Sequence, residues 1–275
     1  MPWTAVKIPL RDEFSAVPAV RAVVGTGVAE LLQDPDVPGA WTLRINGVAQ
    51  SHVDIADPQL VAFDYVRRMI DVIDTLAPPG PIDVLHLGAG AMTAPRCLAA
   101  MRPSSTHMVI ELDEELLSLV LHWMPLPEDG LIETVVGDAA DVLSAQESHS
   151  FDVIVADVFQ GGIVPAQVTT ADFLADAARV LRPGGLYVAN IMDGPQLDFA
   201  RAQAALLCQA FPTAAVLADA GVLRGRRTGN LILVGADEGA SVSRLVRRLA
   251  ADPFAVRLEH GERLARFVAG RRPRL

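Results

Sequence analysis

The chain has 275 residues, is 51% hydrophobic and carries a formal net charge of −10. Its size allows one sizeable core with or without a small satellite domain, and no run approaches 18 uninterrupted apolar residues, so no membrane span is predicted. The only cysteines, Cys97 and Cys208, lie in apolar helical patterns and give neither a disulfide framework nor a metal cluster.

The N-terminal stretch MPWTAVKIPLRDEF lacks the charged start and long apolar segment of a signal peptide. With the cysteine usage, this predicts a reduced, cytoplasmic protein. Residues 16–33 are the one helical candidate before residue 56. WTLRINGVAQSHVDI reads as two short strands joined at Asn46-Gly47, a favoured hairpin turn pair. Asp57-Pro58 resembles a helix cap followed by a first-turn proline. Leu60, Val61, Tyr65, Met69 and Ile73 then repeat at helical spacing to about residue 77.

From residue 82 the pattern alternates. Strand-like runs fall at 82–87, 107–112, 131–136, 151–157 and 185–191, with helix-like runs near 94–101, 113–122, 171–181 and 195–210. Near-continuous apolar strands separated by helices predict a parallel sheet covered on both faces. Two further strands, 214–219 and 230–236, are linked by AGVLRGRRTG, which has no convincing helix, so they are expected to pair antiparallel. Five parallel strands ending in such a pair make a Rossmann-like α/β sheet of the class I methyltransferase type. The predicted division is a small N-terminal hairpin region (1–57), a nucleoside-binding catalytic domain (58–238) and a C-terminal helical extension (239–275). Charge is uneven: 222–275 holds 12 arginines against 5 acids. No aromatic platform accompanies them, so the tail reads as an amphipathic surface helix against an acidic body, not a nucleic-acid site.

The candidate site lies at the strand ends. In VLHLGAGAMTAPR, Gly88 and Gly90 follow the first parallel strand and precede a helix, which suits a ligand at the carboxyl edge of an open sheet. A dinucleotide fingerprint would have glycine or alanine where this chain has Thr93. Glu111 ends the second strand and offers an acceptor for two ribose hydroxyls. Asp138 follows the third strand, where it could accept from an adenine amino group while the Ala139 N–H donates to the ring. Asp157 ends the fourth strand. A ribose acceptor and an adenine acceptor without a complete phosphate fingerprint predict a nucleoside such as S-adenosylmethionine. Asp113, opening DEELLSLV, reads as a helix cap. The histidines are scattered and none has metal-ligand spacing; only His52, in the hairpin, is a site candidate.

These segments resemble the spermidine synthase (polyamine aminopropyltransferase) family. INGVAQ is similar to its LDGxxQ hairpin, with Gln50 retained; HLGAGAMTAPR stands at its GGGDGG turn; VIELDEEL, VVGDAADVL and FDVIVADVFQGGIVPAQVTTADFL follow its later motifs. The likeness covers about residues 40–235. It implies that Gln50, Glu111, Asp138 and Asp157 surround a nucleoside sulfonium or thioether, with Asp64, Tyr65, Phe159 and Gln160 on the acceptor. It also exposes departures: Ala91 replaces an aspartate that grips the aminopropyl donor, Gln160 replaces a loop aspartate, and the family's YHE is absent from AFDYVRR.

The expectation is therefore a metal-free transferase that alkylates a small amine, using S-adenosylmethionine or its decarboxylated form as co-substrate. Asp157 would orient and deprotonate the amine, with Gln160 orienting it. Ala91 tilts this reading toward methyl transfer from intact S-adenosylmethionine; aminopropyl transfer to a polyamine precursor is the alternative. A non-catalytic nucleoside-binding scaffold is the alternative of another class, and Thr93 disfavours a nicotinamide oxidoreductase. A homodimer or higher homo-oligomer, without nucleic acid or membrane partners, completes the expectation.

Overall fold

A computed structural model describes residues 20–250 and 256–269. The segment examined for a leader, and residues 251–254 of the tail's amphipathic stretch, lie outside the described residues. Four strands, β1 (Val20–Val24), β2 (Gly27–Gln33), β3 (Ala40–Ile45) and β4 (Val48–Asp54), form an antiparallel sheet in chain order. Of the helix expected at 16–33, residues 16–19 lie outside the described residues, and residues 20–33 are instead the hairpin β1–β2. Its apolar residues satisfy a helical period, but Gly25-Thr26-Gly27 turns the chain, and pairing with β3 then fixes the strand. The predicted Asn46-Gly47 hairpin joins β3 and β4, so the small N-terminal region is a sheet twice as wide as expected.

Helix α1 spans Asp64–Leu76, and does not start at Pro58. The Asp54 carboxylate takes the N–H groups of Ala56 and Asp57, and the Asp57 carbonyl takes that of Leu60, which spends the cap signal on turns. Then follow β5 (Asp83–Leu87), α2 (Thr93–Met101), β6 (Thr106–Glu111), α3 (Glu114–Trp123), β7 (Ile132–Val136), α4 (Ala139–Ala145), β8 (Phe151–Ala156), α5 (Ala171–Val180), β9 (Leu181–Asp193), α6 (Asp198–Ala210) and β10 (Thr213–Asp219). A single turn, α7 (Ala220–Leu223), leads to β11 (Gly229–Ala236), α8 (Val242–Leu249), β12 (Val256–His260) and α9 (Glu262–Val268).

The large sheet runs β12-β10-β11-β9-β8-β5-β6-β7. Five adjacent strands, β5 to β9, are parallel, with β7 at the sheet's edge; β11 and β10 are antiparallel to their neighbours. The expected five strands and terminal pair are present. The tail adds an edge strand, β12, which the arginine-rich pattern had suggested was helical throughout: backbone pairing with β10 outweighs local composition. The amphipathic α8 packs on α1, where Arg248 bonds to Asp71 at 2.7 Å.

Alternate strand residues serve opposite faces. Leu85, Leu87 and Ile154 enter one buried cluster; Val84, Val153 and Val155 enter another. A third cluster, including Leu31, Leu43, Met92 and Leu116, joins the N-terminal sheet to α2 and α3. Asp113 reinforces that joint. Its carboxylate caps α3 through Leu116 N–H, as expected, and also accepts from Gly25 N–H, Thr26 N–H and the Thr26 hydroxyl. Among the described residues, no helix is long and apolar enough to cross a membrane.

Candidate active site

The winding reverses between β5 and β8: β6 and β7 extend the sheet on one side, β8 and β9 on the other. A crevice opens at the carboxyl ends of strands at such a point. A cavity of about 300 Å³ lies there, walled by the strand-end loops and the N-terminal sheet.

Close backbone crossing shapes its floor. Gly88 has φ +91°, and a Cβ there would lie 2.3 Å from the Asp157 carbonyl oxygen. A Cβ on Gly90, at φ +50°, would lie 2.5 Å from Ser51 Oγ. Any other residue would push β5 away from β8 or from the N-terminal sheet. Ser51 Oγ accepts from Ala91 N–H at 3.1 Å, and Thr93 Oγ1 donates to the His52 carbonyl at 3.0 Å, so β4 is fastened to the glycine turn.

On the β6–β7 side, Glu111 accepts from Ala89 N–H and Asp113 N–H, both at 3.1 Å. Asp138 caps α4 through Ala140 N–H at 2.8 Å, and its second oxygen accepts from Gln167 Nε2 at 3.2 Å. Both carboxylates border the cavity with Ala139.

Asp157 stands on the other side. Asn190 Nδ2, from β9, donates to it at 2.9 Å, and the Tyr65 hydroxyl, from the first turn of α1, also hydrogen-bonds to it. Burial pushes its carboxyl up to about 6 from the usual carboxylate value; the Asn190 and Tyr65 bonds favour the ionised form and hold it from going higher. Burial also raises the Tyr65 phenol well above its usual value, and the neighbouring Asp157 charge adds to this. Tyr65 is thus a donor to Asp157 and stays protonated.

The cavity brings together Gln50, Tyr65, Gly88, Gly90, Glu111, Asp138, Ala139, Asp157, Phe159 and Gln160, from widely separated segments. Asp64 is not among them. It is exposed and pairs with Arg67 at 3.1 Å, because the α1 turn that sends Tyr65 inward sends its neighbour outward. His52 is also absent from the wall: it is buried, its ring nitrogen 3.0 Å from Thr42 Oγ1. Ala91 is fully buried in the cluster beneath the N-terminal sheet and does not border the cavity. The argument from its missing carboxylate toward methyl transfer therefore loses its basis. Asn190, Ser51 and Gln167 were not foreseen. Asn190 sits mid-strand in an apolar run, and its polarity in LYVANI was the available signal.

Among the described residues that line the cavity there are three carboxylates and no lysine, arginine or histidine. A ligand with net positive charge suits such walls.

A methyltransferase domain family matches residues 85–189. The solved structure of a probable spermidine synthase from Corynebacterium glutamicum is 34% identical, covering 93% of this chain and 94% of that one, with a TM-score of 0.82. The chain belongs to the spermidine synthase-like family. Curated relatives in this family are more distant. The polyamine aminopropyltransferase of Chromobacterium violaceum is 29% identical over 53% of this chain and 55% of its own length. That of Vibrio vulnificus is 26% identical over 51% and 48%. The chain thus spans about half the length of these curated relatives. They are named for aminopropyl transfer, and the preference for methyl transfer finds no support in them.

Proposed function

We propose that this protein transfers the aminopropyl group of decarboxylated S-adenosylmethionine to an amine. The observation that carries the reading is the charge of the cavity wall: three carboxylates and no cationic side chain among the described lining residues. Decarboxylated S-adenosylmethionine carries a sulfonium and an ammonium and no carboxylate. Intact S-adenosylmethionine would bring a carboxylate into the same space without a cationic side chain to meet it, at a cost in desolvation and repulsion. The relatives' names point the same way.

In this reading Glu111 takes the ribose hydroxyls. Asp138 and Ala139 take the adenine edge, and the turn through Gly88 and Gly90 lets the backbone close on the nucleoside. The acceptor nitrogen attacks the propyl carbon bonded to sulfur. As the new C–N bond forms, the C–S bond breaks, its electron pair stays on sulfur, and methylthioadenosine leaves. The nitrogen must be unprotonated to attack, yet an alkylamine resembles lysine, with a pKa of about 10.4. Asp157 lies where it can hold the amine and take its proton directly or through water. Raising its carboxyl from its usual value to about 6 narrows the gap to the amine, an easing of about 3 kcal/mol for the transfer. Tyr65 and Asn190 hold the carboxylate in place meanwhile.

The test uses purified protein with each donor. Decarboxylated S-adenosylmethionine is expected to bind at least tenfold tighter than the intact form by calorimetry, and to release methylthioadenosine when an amine is added. Tighter binding of intact S-adenosylmethionine, with S-adenosylhomocysteine as product, would overturn the proposal.

A further inference from the structure

Strand β4 carries an irregularity where it passes the glycine turn. Leu43 of β3 faces Ser51, but the next residue, Arg44, faces Ala49, so Gln50 is an extra residue in the ladder. Successive side chains of a regular strand point to opposite faces. A bulge breaks that alternation and re-aims a side chain. Here two neighbours, Gln50 and Ser51, both border the cavity. The following residue, His52, turns away to Thr42.

Ser51 is buried, and its hydroxyl lies against the glycine turn. Ala91 N–H donates to Oγ at 3.1 Å, and a Cβ on Gly90 would come within 2.5 Å of the same atom. At its first glycine, Gly88, the turn crosses the Asp157 backbone; at Gly90 it crosses Ser51. A hydroxyl oxygen has two lone pairs and one rotatable proton. Ala91 N–H takes one lone pair, and the other can accept from a cation. In the aminopropyl-transfer reading two ammonium groups enter this cavity, one on the acceptor and one on the donor. Like charges held at a single carboxylate repel. With the acceptor amine at Asp157, the donor's ammonium needs an oxygen elsewhere, and the Ser51 end of the turn supplies one.

We propose that Ser51 accepts a hydrogen bond from the terminal ammonium of the aminopropyl donor, and so sets how strongly the site prefers a donor that carries one. This rests on the aminopropyl-transfer reading above and assigns one end of its donor. An ammonium has three N–H donors, so the Gln50 amide oxygen, next in the bulge, can share it. The ammonium is unchanged when the C–S bond breaks, so Ser51 acts in binding.

The test uses two thioethers that differ only at the far end, 5′-(3-aminopropylthio)-5′-deoxyadenosine and 5′-propylthio-5′-deoxyadenosine. Calorimetry on the native protein is expected to show the amine binding at least tenfold tighter. Ser51→Ala should cut that ratio at least threefold, and Ser51→Thr, which keeps a hydroxyl, should hold it within about twofold of native. A role confined to fastening β4 would weaken both thioethers alike. A ratio unchanged by Ser51→Ala therefore overturns the proposal. The native protein supplies a second measurement that needs no variant. Because Ala91 N–H and the ammonium would share one oxygen, the Ala91 amide resonance is expected to move further with the amine than with the propyl compound; equal movement also overturns the proposal. The reading beneath fails separately. Tighter binding of the propyl compound by the native protein, or binding of neither, defeats aminopropyl transfer along with the role of Ser51. A native preference for the amine that survives Ser51→Ala defeats only the role of Ser51.

Discussion

The two sides of the cavity hold their carboxylates by different means. Glu111 and Asp138 sit at the ends of β6 and β7 and are fixed by backbone N–H groups, most of them within three residues of the carboxylate. Asp157, at the end of β8, is fixed by side chains from α1 and β9, which lie 92 and 33 residues away in sequence. The first arrangement is local and repeats what any cap or strand-end turn provides. The second exists only when three elements meet, and it is where burial moves a proton affinity. A nucleoside needs oriented acceptors, which turns supply. An amine that must lose a proton needs a carboxylate withheld from water, and that requires tertiary packing.

The comparison breaks most directly at Asp157. Asp157→Asn keeps the shape and removes the proposed base. Turnover is expected to fall roughly 10²–10⁴-fold, the usual range for acid–base groups, while methylthioadenosine still binds. Stability should move the opposite way. The folded pKa of about 6 lies above the unfolded carboxylate value, so between about pH 4 and 6 the folded state holds more protons than the unfolded. Stability therefore falls as pH rises through that window, and above it the ionised group is a standing cost. The asparagine variant should have a higher Tm than the native protein at pH 7, and its Tm should lose that pH dependence. Thermal melts at pH 4.5, 6 and 7.5 check this. Unchanged turnover would make Asp157 a structural acid.

The nucleoside side is expected to respond in binding. Glu111→Ala should weaken methylthioadenosine by about 10–100-fold, since a hydrogen bond to a charged acceptor contributes about 1.5–3 kcal/mol. Equilibrium dialysis against labelled nucleoside reads it. The acid limb of the kcat/KM profile, expected near pH 6 in the native protein, should not move, because Glu111 does not contact Asp157.

A smaller effect sharpens the other side. Tyr65→Phe removes one donor to the ionised Asp157, so its carboxyl rises further and the acid limb shifts alkaline by about half to one unit. At pH 5 the loss in kcat/KM should be about three- to ninefold, falling to about 1.5- to threefold at pH 6.5 and vanishing above pH 8. A loss equal at all pH values would assign Tyr65 to acceptor contact instead of control of Asp157.

Much of the fold was legible before any coordinates. The runs at 82–87, 107–112, 131–136 and 151–157 each match a parallel strand within one residue at either end; β5 and β8, inside the sheet, show as near-continuous apolar runs because both their faces are buried, whereas β7, at the edge, is largely exposed. That Glu111, Asp138 and Asp157 would border one cavity was legible from their positions, since residues at the carboxyl ends of such strands share one edge of the sheet. The reading failed where local pattern and long-range pairing disagree. Residues 20–33, part of a stretch with a helical period, are a hairpin. The arginine-rich tail hid β12. Asp64 and Tyr65 were both assigned to the acceptor, although the apolar period of α1 already set Tyr65 on the buried face and Asp64 off it. Ala91 stood in a glycine turn that borders the cavity, yet its own side chain turns into the core.

What the sequence determined by itself, then, is the alternation that builds the sheet, the turns at its carboxyl edge, and the acids those turns carry. Each follows from hydrophobic period and cap chemistry within a few residues. Tertiary structure alone decided which acid becomes the buried one. Asp157 acquires its raised proton affinity from burial, while hydrogen bonds from Asn190 and Tyr65, on two distant elements, hold it from rising further. Desolvation is a property of everything packed around a group, and no short stretch of chain encodes it.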